Sequence, residues 1–103
     1  MSWYYILNEQ GEPVPCDVLT FGRWFEGHPA ARVIAHDEVD DVMVSTVFLG
    51  LDHSLGHGAP MMYETMIFGG PHDEYQDRYS TRAEAVAGHA RALAMVNGRG
   101  PDR

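Results

Sequence analysis

The chain contains no lysine. Its seven basic residues are all arginine, at Arg23, Arg32, Arg78, Arg82, Arg91, Arg99 and Arg103, against fifteen acidic residues and a formal charge of −8. Phosphate backbones are held by clustered cations, so scattered arginines on an acidic chain argue against direct nucleic-acid binding. With one cysteine, Cys16, the chain cannot form an internal disulfide. No stretch approaches the ~20 apolar residues needed to span a bilayer, so no membrane association is expected. The opening Met1-Ser2-Trp3-Tyr4-Tyr5-Ile6-Leu7 lacks the basic segment and small-residue cleavage site of a secretory leader. These absences together predict a cytoplasmic protein.

What remains is enough for one core. Of 103 residues, 45% are hydrophobic and 11% aromatic, and a chain of this size buries roughly 60–70% of its unfolded surface. The expected organisation is a single α+β domain over residues 1–98 and a flexible C-terminal tail over 99–103.

Aromatic, β-prone Trp3–Leu7 predicts a strand, ended by the turn chemistry of Asn8–Pro13. Val18, Phe21 and Phe25 recur at helical spacing between Pro15 and Pro29, with Trp24 beside them and Asp17 placed to cap. A short strand is expected over Arg32–His36, an acidic turn over Asp37–Asp41, and the longest strand over Val42–Leu51. Asp52–Pro60 reads as a loop and Met61–Phe68 as the returning strand. Gln76–Tyr79 has the pattern of a short edge strand. Thr81 opens a last helix, with Glu84 completing a capping box, and Asn97-Gly98 closes it. Along that helix Ala85, Val86, His89, Ala92, Leu93 and Val96 mark one face. The fold predicted is an antiparallel sheet of about four to five strands centred on a long hairpin, with two helices on one face.

Pairing Leu51 with Met61, the tightest register the loop permits, sorts the hairpin into two faces. One carries Val47, Leu49, Leu51, Met61, Tyr63 and Ile67; the other carries Val44, Thr46, Phe48, Met62, Glu64, Met66 and Phe68. Neither alternates apolar with polar as a half-wet sheet should. Two short helices cover one face, so Phe48, Met62, Met66 and Phe68 are expected to form an interface with a second copy or another protein. The competing reading folds the chain's own N-terminal segment or a loop over them.

Chemistry, if there is any, is expected at the hairpin tip. Asp52, His53 and His57 gather a carboxylate and two imidazoles in a glycine-rich turn, a ligand set suited to a divalent metal or to acid–base work. Glu64 in the adjacent strand and His89 on the last helix complete the catalytic candidates. The plainer explanations are a turn-capping Asp52, exposed histidines, and a His89 that is neutral, buried and hydrogen-bonded to backbone. No metal-binding motif supports the cluster, and no cofactor is expected. Gly88, costly inside a helix, predicts close packing against a neighbour. Cys16 sits near a helix start, but adjacent Asp17 opposes thiolate formation. The acidic runs Asp37–Asp41 and Asp73–Asp77 lack the order of a calcium loop and read as solvated turns.

Ser45–His53, Glu64–Gly70, Arg78–Thr81 and Gly88-His89, in that order, resemble small uncharacterised proteins of actinobacterial phages and prophages. The resemblance covers about the last 60 residues and brings no known activity. It implies a phage accessory protein working in the bacterial host cytoplasm, on a host protein. The arginine-only composition is compatible with a GC-rich genome. The sequence therefore leads to a non-enzymatic interaction module or homodimer. Its alternatives are a small metal-dependent enzyme or ligand binder centred on Asp52, His53, His57 and Glu64, and an acidic mimic of nucleic acid.

Overall fold

A computed structural model describes residues 3–54, 56 and 58–98; the expected tail at 99–103 and candidate His57 lie outside these residues. The elements run β1 (Tyr4–Leu7), β2 (Pro13–Cys16), α1 (Val18–Gly27), a single 3-10 turn (Ala30–Arg32), β3 (Val33–Val39), β4 (Val42–Phe48), β5 (Tyr63–Phe68), β6 (Gln76–Tyr79) and α2 (Arg82–Val96). The last four strands form an antiparallel sheet in the order β3-β4-β5-β6, and β1 and β2 form a separate hairpin. This is the predicted α+β architecture, with both helices meeting the main sheet.

The β1–β2 hairpin departs from expectation. Residues 13–16 extend as a strand although they include Pro13 and Pro15, which pair with Leu7 and Tyr5. Proline lacks an amide donor but is tolerated on an edge strand, which is what β2 is. Between the strands, the Asn8 carboxamide oxygen accepts from the amides of Gln10 and Glu12, each at 2.9 Å, and closes the turn.

α1 starts where Asp17 accepts a hydrogen bond from the Thr20 amide at 2.8 Å. Its working face is Phe21, Trp24 and Phe25, not Val18, which with Leu19 is exposed. Phe21 meets Tyr4 of β1 and Phe25, and Trp24 sets its ring at 89° to Phe48 of β4, 5.8 Å between centroids. α2 begins with the predicted capping box: Thr81 Oγ1 accepts from the Glu84 amide, and Glu84 Oε1 accepts from the Thr81 amide, both at 3.1 Å. Ala85, Gly88, His89 and Ala92 form its buried stripe, while Val86 is exposed.

The register of the central hairpin differs by one residue from the tightest-loop expectation. Val44 pairs with Ile67, Thr46 with Thr65 and Phe48 with Tyr63. A one-residue slip exchanges the faces of a strand, so β4 and β5 combine differently from the sets predicted. Val44, Thr46, Phe48, Tyr63, Thr65 and Ile67 all point inward and are fully buried. The expected long strand stops at Phe48 because the chain turns at Gly50 (φ +75) to join β1. There the Tyr5 amide donates to the Gly50 carbonyl at 2.8 Å, the Asp52 amide donates to that of Trp3, and Leu51 bridges Tyr4. A β-carbon at Gly50 would collide with the Phe21 ring, so the switch requires glycine.

Two apolar clusters fill the space between sheet and helices. Leu7, Phe48, Met62, Tyr63, Tyr79 and Ala85 form one, backed by Tyr5, Trp24 and Ile34; Val44, Ile67 and Ala92 form the other. Phe48 and Met62, expected at an interface, are therefore core residues, 1% and 6% exposed. The register turns Phe48 inward, and Met62 is drawn into the core as its amide donates to the Tyr79 carbonyl.

Candidate functional site

The side chains with chemical capacity fall into three separate places. At the hairpin tip, Asp52 Oδ1 accepts from the Ser54 amide at 2.8 Å and from the Met61 amide at 3.0 Å. Burial raises the carboxyl's pKa, but the amide donors outweigh it and hold Asp52 below its ordinary value. Asp52 is thus the loop's clamp, the plainer of its two expected roles. The His53 amide ties the same loop to the Met61 carbonyl at 2.9 Å. Among the described residues no three His, Cys, Asp or Glu side chains converge as metal ligands.

Glu64 lies on the outer side of the sheet, facing away from both helices. Its Oε2 accepts from Arg78 Nε at 3.0 Å and from Gln76 Nε2 at 2.5 Å. Arg78 is the cross-strand partner of Glu64 on β6, and Gln76 lies one row along on the same face. The carboxylate is only 11% exposed, sheltered by its neighbours. The sheet itself separates it from His89, so the two catalytic candidates do not meet.

His89 anchors the third place, a polar chain through the core. Its Nε2 lies 2.7 Å from Asp37 Oδ2 on β3, and its Nδ1 lies 2.7 Å from Thr46 Oγ1 on β4. Thr46 Oγ1 is in turn 2.5 Å from Thr65 Oγ1 on β5. A carboxylate only accepts, so Nε2–H donates to Asp37. In the neutral ring, Nδ1 then accepts from the Thr46 hydroxyl, which accepts from Thr65. His89 is buried as expected, but its partners are side chains of two strands, not backbone.

Hydroxyl, imidazole and carboxylate in line have the components of a nucleophilic triad, yet the surroundings exclude that chemistry. Thr46 and Thr65 are completely buried, and a nucleophile must share space with the atom it attacks. What the arrangement does is cross-link α2, β3, β4 and β5 through directional bonds. Thr46 and Thr65, one in each central strand, were the available signal. The residue-by-residue alternation hides them until the register places Thr46 opposite Thr65.

Nearby, Gly88 lies against the Tyr79 side chain so closely that a β-carbon there would overlap its ring and hydroxyl. This is the close packing its position predicted. Burial pushes the hydroxyls of Tyr63 and Tyr79 above the usual phenol range, in Tyr79 against an opposing contact with the Thr65 hydroxyl, and the Tyr63 hydroxyl has no hydrogen-bond partner. Cys16 is half-buried in β2; burial first, then the Asp17 charge, raises its pKa, the opposite of an activated thiol.

The outer sheet face is built from three rows. Val33, Val47, Glu64 and Arg78 form the first; His36, Ser45, Met66 and Gln76 the second; Glu38, Met43 and Phe68 the third. Val33 is 48% and Phe68 42% exposed, and Met43, Val47 and Met66 are half-buried. Of the four residues expected at an interface, Met66 and Phe68 are on this face. No helix of the described residues is long and apolar enough to cross a membrane. Comparison with protein-family models, with curated proteins and with solved structures finds no match to this chain.

Proposed function

We propose that this chain is a non-enzymatic protein-interaction module, a phage-type accessory protein, that self-associates through the outer face of its four-stranded sheet. The observation that carries this reading is the apolar lining of that face: Val33 and Phe68 are exposed, and Val47, Met43 and Met66 lie half-buried between them around Ser45, with both helices on the opposite side. Contiguous apolar surface of this kind marks interaction sites on soluble domains. The groups with capacity for catalysis are committed elsewhere, Asp52 to its loop, Glu64 to Arg78 and His89 to the core.

Charge favours a second copy as the occupant. The whole chain carries −8, but the face holds only Glu38, Glu64 and Arg78 beside His36. A basic partner would seek the acidic turns instead, whereas a like face brings little repulsion. Four strands by three rows give about 400 Å² per copy, about 800 Å² in all. That is the range of weak, transient complexes.

Sedimentation velocity from micromolar to millimolar concentration tests the reading. The wild-type chain is expected to pass from monomer to dimer, and Met66→Asp/Phe68→Asp to remain monomeric with an unchanged circular dichroism spectrum. A wild-type monomer throughout, or a dimer indifferent to both aspartates, overturns it.

A further inference from the structure

The outer face is not only apolar; its charges sit at opposite corners. Glu38 lies at the β3 edge of the third row and Arg78 at the β6 edge of the first. Both reach solvent, with side chains 69% and 37% exposed. Arg78 uses Nε on Glu64, and a guanidinium has four further N–H donors in its planar fork. Val33 occupies the third corner, and Phe68 stands beside the fourth. Three strand spacings span about 14 Å and two rows also span about 14 Å, so the patch is nearly square.

Resting on the self-association reading, we infer that two copies stack face to face about a two-fold axis along the Val33–Phe68 diagonal. In this arrangement Glu38 of each copy faces Arg78 of the other. Of the two diagonals, this one alone brings opposite charges together. An axis along the Glu38–Arg78 diagonal would place each charge over its own copy, where like charges repel. Reflection across the diagonal of a square patch exchanges strand and cross-strand directions. The two sheets therefore cross at about 90°, one of the two preferred geometries of sheet packing. Val33, on the axis, meets Val33 of the other copy, and Phe68, one strand off the corner, lies beside Phe68 of the other copy across the axis, as an isologous interface requires. The apolar diagonal supplies the contact, and the charged corners fix its direction.

Glu38→Arg separates this arrangement from charge effects in general. The substitution makes each chain less acidic, so overall repulsion falls and a non-specific effect would tighten the dimer. The diagonal arrangement predicts the reverse, because Glu38→Arg sets arginine against Arg78 at both corners. Dissociation constants from sedimentation equilibrium are expected to rise roughly tenfold, allowing for two solvent-screened pairs. Glu9→Arg, an equal charge change at an exposed turn away from the face, is the control and is expected to tighten or preserve the dimer. Mixed-label NMR supplies the second measurement: cross-copy contacts are expected between Val33 methyl groups and between Phe68 rings. Tightening by Glu38→Arg, or contacts pairing Val33 with Phe68 of the other copy, overturns the diagonal arrangement. Loss of that dimer on Met66→Asp/Phe68→Asp would still uphold self-association through the face. A chain that never dimerises removes both.

Discussion

Gly88→Ala places two physical effects in direct opposition. In an isolated helix, alanine is better than glycine by about 0.8–1.0 kcal/mol. Gly88 lies inside α2, so propensity alone predicts a more stable protein. The structure predicts otherwise. A β-carbon at this position falls within the space of the Tyr79 hydroxyl and two of its ring carbons. Tyr79 is 5% exposed and belongs to the main apolar cluster, so its ring has little room to retreat. Overpacking of this kind costs about 1–3 kcal/mol, and the net expectation is a loss on the order of 1 kcal/mol. For a domain of this length that lowers Tm by about 4–8 °C. Tyr79→Phe removes the colliding oxygen together with its contact to the Thr65 hydroxyl, so the substitution alone should cost about 1 kcal/mol or less. The double variant should then recover part of the loss, although the ring still crowds the new methyl. Urea denaturation of wild type, both single variants and the double variant completes the cycle. A Gly88→Ala protein stabilised by the full propensity difference would refute the packing argument.

Thr46→Val should cost about 1–3 kcal/mol, because it leaves His89 Nδ1 and the Thr65 hydroxyl without their shared partner in the core; equilibrium unfolding measures it. Phe48→Ala should cost about 3–5 kcal/mol, whereas Phe68→Ala on the monomer should cost well under half of that; the reverse order would mean the two faces are misassigned. Asp52 has a depressed pKa, so its contribution is present above its unfolded value of about 3.9 and is lost as pH falls through the lower folded value. Hydrogen exchange at the Met61 amide should accelerate across that window. Asp52→Asn should lose this acid dependence, and its persistence would mean another group clamps the loop.

Local features of the fold were legible in the sequence because a few neighbouring residues determine them. Thr81 and Glu84 define the start of α2 by reciprocal bonds three residues apart, and Gln76–Tyr79 is the edge strand its composition suggests. His89 is buried because helical spacing puts it between Ala85 and Ala92. Residues 13–16 were illegible because their prolines signal a turn unless a partner strand accepts them on an edge. The register of β4 and β5 was also beyond local reading. It depends on the exit at Gly50 toward β1, more than forty residues earlier in the chain. That single misalignment carried Phe48 to the wrong side and separated Thr46 from Thr65, whereas Met62 lies beyond β5 and is turned inward by its bond to Tyr79. Met66 and Phe68 kept their expected face because their parity within β5 is unaffected.

The same misalignment suggests why the core spends polar groups at all. A slip of one residue between β4 and β5 would set Thr46 opposite Met66 and bury Met66 and Glu64 in place of Thr65 and Tyr63. Burying the Glu64 carboxylate away from Arg78 already opposes such a slip, while the apolar side chains oppose it only through shape. The Asp37–His89–Thr46–Thr65 chain resists it through direction: hydroxyls and imidazole in a dry interior lose their partners together when any strand shifts. Buried polar groups fix register in some proteins at little gain in stability, which gives the network a distinct signature. Thr46→Val/Thr65→Val/His89→Leu removes every interior polar member and leaves Asp37 half-exposed to water. Its stability should lie within about 1–2 kcal/mol of wild type, well above that of Thr46→Val plus any second single loss. Its amide spectrum, however, should show more than one set of β4–β5 resonances, with cross-strand contacts from both registers. A triple variant that keeps one sharp spectrum and the 46–65 pairing would show that packing and the outer Glu64–Arg78 pair align the strands without the network.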